Sequence, residues 1–496
     1  MRKYTLSIVA LISLLLRLGS INGRPLWYDE AFAILFSEKG PHAMFLGTLT
    51  QQQGVAADVH PLAYYTVLWL WMRVFGSFPL SVRLLSVILG LGLMGVAYLL
   101  AKELFAERFA PVLALLVGIS PFQIHYSQEV RMYAMLAFFL ALATLALWKG
   151  LHTGQTIWWV VFSVAAAFAQ YTHNLAVFYL LPLALTPVLF RQWRFLPAVI
   201  LAGLGSIGLY LPWLILVPSQ FAKVQAAYWT VRPDPSRLVT TLLSFVTNLP
   251  LPGQWLPWGL FVSVFVFALC SWQTAKMLRS GAPSSRRGLW LAYLGLTPPL
   301  LLFVFSQWQP VYIERALLPS GVMFLLWVGW SFTQTNLPKN VSGVAFLVLF
   351  LGMAIGVYQH STYRGFPYAP YAELDAYLAA NVGPEDVLLH SNKLTMLPAV
   401  YYDRDLPQRY LADPPGSGSD TLAFPTQKVL GLMAYPSLKT ATGGAQTVWF
   451  LIFSRAIEEY GTLETPGHPH LQWLNAHYRM ERRETWGDLL LYVYSK

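Results

Sequence analysis

Hydrophobic positions fall along this chain in long, nearly unbroken runs, not in the alternating patterns of soluble strands or the one-sided stripes of soluble helices. A membrane-spanning helix needs roughly 20 mostly apolar residues. Ten runs read as spans: 4–22, 82–101, 132–149, 156–171, 174–190, 195–217, 254–275, 288–306, 316–334 and 340–359. The run 109–121 is shorter but wholly apolar, which makes eleven expected spans. The run 61–76 holds several aromatics and Arg73, and suits a helix lying in the membrane interface. The pattern changes near residue 360. Beyond it the chain predicts helices over 369–380 and 394–402, short buried strands over 386–390, 447–453 and 489–494, and a Pro/Gly/Ser loop over 413–420. The expected fold class is therefore an α-helical polytopic membrane protein with about eleven transmembrane helices and a C-terminal soluble α/β domain. The expected division is 1–360 and 361–496.

Composition supports that division. Only 11% of the 496 residues are charged, against about 25% in soluble domains. The net charge of +10 belongs to the apolar part, since residues 1–360 hold 22 Lys/Arg and 9 Asp/Glu while 361–496 hold 11 and 14. These cations sit at the ends of apolar runs, which marks topology and not a nucleic-acid face. With 61–76 outside the bilayer core, the Lys/Arg-rich short loops all fall on one side, the cytoplasmic one. The N-terminus is then inside and the C-terminal domain extracytoplasmic, with a long outer loop over 23–81. The first run holds Arg17 and has no small-residue cleavage site, so it reads as a retained span. The single cysteine, Cys270, excludes an intrachain disulfide and a cysteine-based metal cluster.

Nine carboxylates stand in the first 360 residues, and seven fall on the outer side: Asp29, Glu30, Glu38, Asp58, Glu129, Asp234 and Glu314. Carboxylates at a membrane boundary are costly unless paired or useful, so an outward-facing site would explain them together. Asp29-Glu30 reads either as a general base for an acceptor or as a helix N-cap before an apolar stretch. Glu129, Arg131 and Tyr133 alternate and would reach one cavity from an extended loop; the rival is a snorkelling Arg131 paired with Glu129. Tyr312 and Arg315 open a later span. Arg315 at a helix N-terminus opposes the helix dipole and needs an anion, either a phosphate or a carboxylate such as Glu314. Arg83 is placed similarly at the outer end of its span. His60, His173 and Tyr312 are further substrate-binding candidates on the outer side, the two histidines without the spacing of a metal motif.

There is no P-loop and no nucleophile elbow. Energy must then come from an activated substrate, or none is used; a lipid-borne donor entering laterally fits. A transporter or flippase of a lipid-linked saccharide is the rival, but transporters place polar groups near the midplane whereas here they collect at one face.

An ordered set of motifs then resembles a known family. These are Arg24-Pro25-Leu26-Trp27-Tyr28-Asp29-Glu30-Ala31, His60-Pro61, Val82-Arg83-Leu84-Leu85-Ser86, Ser120-Pro121-Phe122, Tyr126 through Tyr133, Tyr171-Thr172-His173 and Glu314-Arg315-Ala316-Leu317-Leu318-Pro319. Together they resemble the GT-C glycosyltransferases, especially the bacterial relatives of glycosyltransferase family 39. That group includes protein O-mannosyltransferases and aminoarabinose lipid A transferases. The resemblance implies a sugar moved with inversion from a polyprenyl-phosphate donor to a glycan, lipid or protein acceptor of the cell envelope, at the outer face of the bacterial plasma membrane. It implies Asp29 as the catalytic carboxylate beside Glu30. It places Glu129 and Arg131 in the site lining and makes Arg83 and Arg315 ligands of the donor phosphate. A divalent metal could share the phosphate's charge; the sequence names no ligands for it. His60-Pro61 stands where lipid A transferases have Lys-Pro, so lipid A is not carried over as acceptor.

Overall fold

The structure is a computed structural model and describes residues 2–52, 55–105, 107–226, 230–282, 284–335, 337–413, 421–461 and 467–496. The expected loop 413–420 lies, beyond Asp413, outside these residues. The N-terminal helix α1 (Arg2–Leu18) is followed by two helices of the first loop, α2 (Tyr28–Glu38) and α3 (Gly40–Leu49), and a short hairpin, β1 (Gln51–Gln52) and β2 (Val55–Ala56). The run expected to lie in the interface forms α4 (Ala63–Phe75), whose 13 residues are too few to cross a bilayer. The long helix α5 (Pro79–Leu104) returns the chain, with Pro79 in its first turn, where a missing N–H costs nothing.

The short apolar run expected over 109–121 is part of a broken element. Helix α6 (Ala110–Ile119) ends at Ser120, and α7 (Pro121–Ser127) leaves it at an angle; the two halves are bent by 59°. Pro121 disfavours the helical conformation in the residue before it, and Ser120 is extended at φ −60°, ψ 122°. The break aims α7 across the end of the bundle. Helices α8 (Tyr133–Thr153), α9 (Thr156–Thr172), α10 (Val177–Ala184), α11 (Thr186–Leu189), α12 (Leu196–Leu214), α13 (Val217–Ala226) and α14 (Ser236–Thr247) follow. Then come α15 (Leu256–Arg279), α16 (Ser285–Phe305), α17 (Leu318–Thr333) and α18 (Lys339–Thr362). Among the described residues seven helices are long and apolar enough to cross a membrane, or eight with the bent pair; the runs at 4–22, 156–171 and 174–190 form shorter apolar helices. The chain is a multi-pass integral membrane protein.

After α18 the chain builds a six-stranded sheet ordered β5-β4-β3-β6-β8-β7. Strands β3 (Val387–His390), β4 (Gln408–Leu411), β5 (Ala434–Tyr435) and β6 (Thr447–Phe453) run parallel. Strands β8 (Leu489–Ser495) and β7 (Arg479–Trp486) add in antiparallel fashion. Sequence pattern located β3, β6 and β8 because they are buried apolar runs. It missed β7, an edge strand of mostly exposed polar residues, and the very short β4 and β5. Alternate residues of β6 face opposite sides, with Val448, Phe450 and Ile452 in one cluster and Trp449, Leu451 and Phe453 in the other. The helices of this region are α19 (Tyr371–Asn381), α20 (Lys393–Tyr402), α21 (Phe424–Leu430), α22 (Leu438–Thr442), α23 (Ser454–Gly461) and α24 (Pro469–His477). Leu397 of α20 and Leu430 of α21 join the apolar core of the helical bundle. The Tyr401 hydroxyl donates to the Ser77 carbonyl at 2.8 Å and the Thr426 hydroxyl to the Gly47 carbonyl at 2.9 Å. The sheet region is thus seated on the first loop.

One buried knot ties the bundle end together. All five N–H donors of Arg83 are engaged. Nε and Nη2 donate to the Glu30 carboxylate at 3.0 and 2.8 Å. Nη1 donates to the Ile21 and Arg24 carbonyls at 2.6 and 2.9 Å, and Nη2 also reaches the Pro25 carbonyl at 3.2 Å. Glu30 in turn accepts from the backbone N–H of Trp27 at 3.4 Å and of Val130 at 3.0 Å. Both side chains are at most 3% exposed.

Two stability predictions follow from these packings. Removing one partner of a buried ion pair strands the other charge and costs about 3–5 kcal/mol. Arg83→Ala should therefore lower the unfolding midpoint of the full-length protein in detergent sharply, whatever ligand is present. The second concerns Asp375 in α19. It is 3% exposed, and neither carboxylate oxygen has a hydrogen-bond partner among the described residues. Burial, with Asp403 adding to it, pushes its carboxyl up to about 8. The unfolded chain releases this proton near the ordinary carboxylate value and the folded chain only near pH 8. The contribution of Asp375 to stability is therefore fully present below about pH 4 and is lost as pH rises toward 8. Asp375→Asn should flatten that slope and leave the variant more stable than wild type at pH 8.5, read as melting midpoint against pH.

Candidate active site

The first turn of α2 carries Asp29 outward from the Glu30–Arg83 knot. Its Oδ2 lies 3.6 Å from Nη2 of Arg131 and 3.4 Å from Nη1 of Arg315. Nη1 of Arg131 also reaches the Asp29 carbonyl at 3.4 Å. Two guanidinium groups from distant loops thus converge on one carboxylate. Arg315 further lies over the rings of Tyr133, at 5.1 Å, and Trp27, at 5.9 Å, contacts that favour a cation.

Arg315 also lines a cavity of about 160 Å³ between the bundle end and the segment joining it to the sheet. From the bundle side come Arg24, Trp27, His125, Tyr126, Glu129, Pro250 and His360; from the joining segment come Tyr363, Phe366, Pro367 and Tyr368. Glu129 accepts from Nε2 of His125 at 3.0 Å. Burial opposes its charge, but His125, Arg24 and Arg315 outweigh burial and hold its carboxyl below the usual range.

Arg24 is 6% exposed and has no carboxylate within ion-pair distance among the described residues. Nη1 donates to the Tyr368 hydroxyl at 3.0 Å, and Nη2 lies 3.1 Å from Nε2 of His360. The second contact is frustrated. The side-chain nitrogen of Gln128 donates to the carbonyls of Arg17 and Gly19 at 2.7 and 2.9 Å, so its oxygen must accept. That oxygen is 2.8 Å from Nε2 of His360, which therefore carries the hydrogen. Arg24 Nη2 then faces an N–H, not a lone pair. A buried guanidinium left in this way calls for an anion in the cavity.

The structure redistributes the residues singled out in the sequence. Asp29, Arg131, Tyr133 and Arg315 come together, and Glu129 faces the cavity beside them. The 128–132 segment is a tight turn and not extended. Arg131 pairs with Asp29 instead of Glu129. Arg315 also turns to Asp29, because Glu314 is taken by Arg237 at 3.0 Å. In this structure every Arg83 donor is engaged and Glu30 is enclosed in the knot, 0% exposed, so both hold the backbone. Tyr312 is not among the cavity residues: its hydroxyl pairs with that of Thr241 at 2.7 Å. His60 pairs with Asp58 at 3.0 Å, with the His173 ring 5.9 Å away. Burial, helped by His60, Arg315 and Arg131, lowers His173 well below the usual histidine range. Among the described residues no group of three or more His, Cys, Asp or Glu side chains is arranged to hold a metal ion.

Sequence reasoning missed His125, Asn248, His360 and Tyr368, and passed over Arg24 although it opens the first motif. A lone arginine just beyond a span was a usable signal. The others come from four separate elements and share no local pattern.

Residues 59–216 match the family described as dolichyl-phosphate-mannose-protein mannosyltransferase. An undecaprenyl phosphate-α-4-amino-4-deoxy-L-arabinose arabinosyl transferase of Pseudomonas aeruginosa is 25% identical over 343 residues, 65% of this chain and 59% of that protein. YkcB of Bacillus subtilis is 25% identical over 187 residues, 36% of this chain and 26% of its own length. The chain thus spans less than two thirds of these relatives. The crystal structure of ArnT from Cupriavidus metallidurans superposes with a TM-score of 0.66 at 14% identity, covering 98% of this chain and 97% of that one. Its complex with undecaprenyl phosphate gives 0.65. The oligosaccharyltransferase of Archaeoglobus fulgidus gives 0.56 at 12% identity, covering 91% and 69%. The chain has the fold of these membrane glycosyltransferases, and its resemblance to the GT-C group holds in both sequence and structure.

Proposed function

We propose that the chain is an inverting glycosyltransferase that moves a sugar from a polyprenyl-phosphate donor to a cell-envelope acceptor. Residues 1–360 form its catalytic membrane domain and 361–496 an extracytoplasmic domain at the outer face of a bacterial plasma membrane. The observation that carries this reading is Arg24, which has no ion-pair partner among the described residues and meets an N–H of His360, facing the same cavity as Arg315. Two buried guanidinium groups make a site for one phosphate, and forked N–H donors suit its oxygens. The names of the relatives and the undecaprenyl phosphate bound by ArnT favour the same donor class.

The reaction is then a single displacement. The acceptor oxygen or nitrogen bonds to the anomeric carbon as the bond from that carbon to the phosphate oxygen breaks. The electron pair leaves with the phosphate, whose growing charge Arg24 and Arg315 stabilise. Asp29 keeps Arg131 and Arg315 aligned, and by the family resemblance it would also receive the acceptor's proton.

The test uses the full-length protein in liposomes with undecaprenyl-phosphate-linked mannose or 4-amino-4-deoxy-L-arabinose. Asp29→Asn should lower sugar transfer by at least about a hundredfold. Arg24→Gln should weaken undecaprenyl phosphate binding by about 10- to 100-fold, as expected for lost charge-assisted hydrogen bonds. Undiminished binding by Arg24→Gln would remove the phosphate site from this cavity.

A further inference from the structure

We propose that Glu129 receives the proton of the acceptor, and that His125 and Asn248 are positioning residues that aim its free oxygen into the cavity. This rests on the glycosyl-transfer reading and changes its proton acceptor.

Glu129 and Asp29 differ in what their oxygens face. Oδ2 of Asp29 is already engaged by two guanidinium groups, at 3.6 Å from Arg131 and 3.4 Å from Arg315. Asp29 is also absent from the cavity lining, whereas Glu129 is part of it. Glu129 is 3% exposed; Oε1 is held by His125, and Oε2 has no hydrogen-bond partner among the described residues. A buried carboxylate oxygen left open beside a cavity is a site for a hydrogen-bond donor. An acceptor hydroxyl or amine supplies that donor.

The support behind Glu129 is built in depth. The side-chain nitrogen of Asn248 lies 3.0 Å from Nδ1 of His125 and donates to it, which puts the imidazole hydrogen on Nε2, toward Glu129. The His125 ring is stacked on Tyr126 at 4.5 Å and 5° and flanked by His360 at 4.5 Å. Asn248 itself closes α14 at φ 63°, ψ 170°, a region populated almost only by glycine. A strained asparagine whose amide meets the histidine behind a cavity carboxylate points to a role for that amide.

Donor binding would also prepare the base. Arg24 and Arg315 help keep Glu129 ionised in the free protein. A phosphate held by the same two arginines offsets their charge and raises the proton affinity of Glu129 only when the donor is in place. In the step itself the acceptor O–H or N–H bond breaks, its proton goes to Oε2, and the new bond to the anomeric carbon forms as the phosphate leaves.

The experiment measures pH–rate profiles for the full-length protein in liposomes. Sugar release from undecaprenyl-phosphate mannose or aminoarabinose is followed to octyl glucoside and to water. Binding of undecaprenyl phosphate is measured separately for every variant. Glu129→Gln should lose about 10²–10⁴ in rate together with the acidic limb, while still binding undecaprenyl phosphate. Asp29→Asn should be slower but keep the limb. His125→Ala removes the donor that favours the charged carboxylate, so the limb should move to higher pH; His125→Gln, which can still donate, should move it back. An acidic limb that survives Glu129→Gln and vanishes in Asp29→Asn overturns the proposal, as does a His125→Ala limb that stays put. A wild-type protein that binds no undecaprenyl phosphate overturns the glycosyl-transfer reading itself; one that binds it but transfers to neither probe counts against the base.

Discussion

The site depends on a single arginine that never touches it. Arg83 spends every N–H it has on Glu30 and on three carbonyls of the 21–25 link. That fixes the first turn of α2, from which Asp29 projects, and the backbone of Arg24. Glu30 then accepts from Val130 and so fixes the turn that bears Glu129 and Arg131. A charge pair at this depth offsets its own desolvation only when the remaining donors are also satisfied. Here they are, which explains how loops at a membrane boundary can hold a rigid constellation.

On that frame the arrangement of charge is asymmetric. Asp29 lies between Arg131 and Arg315, so those two cations are partly neutralised by protein. Arg24 has no carboxylate within ion-pair distance among the described residues, only the longer-range field of Glu129, and its contact with His360 sets one N–H against another. Electrostatic interactions between buried groups are stronger than in water. An anion entering between Arg24 and Arg315 would relieve Arg24 and draw on charge that Asp29 already orients. Preorganisation of this kind places the reorganisation cost in folding and not in the reaction.

The sheet region adds a wall to the same cavity. Tyr363, Phe366, Pro367 and Tyr368 close it from the segment that leaves α18, and Tyr402 accepts from the backbone of Leu26 at 3.3 Å, next to the knot. Arg404 clasps Glu38 on the outside of α2 at 2.8 Å. The region therefore braces the first loop, and Tyr368 contributes its hydroxyl to Arg24.

Amino-acid pattern alone determined the membrane class, the helical runs and the change of character near residue 360. These are local or additive properties: hydrophobic run length, charge per loop, alternation in buried strands. It also brought Asp29, Glu129, Arg131 and Arg315 forward, because charge at a membrane boundary is rare enough to stand out. Partners were a different matter. That Arg83 serves Glu30, that Arg315 turns to Asp29 and away from Glu314, and that Asn248 stands behind His125 are pairings across 53, 286 and 123 residues. No periodicity encodes them. They were decided by how the broken α6–α7 element, the first loop and the end of α18 pack, since only a closed tertiary structure fixes which buried donor meets which acceptor.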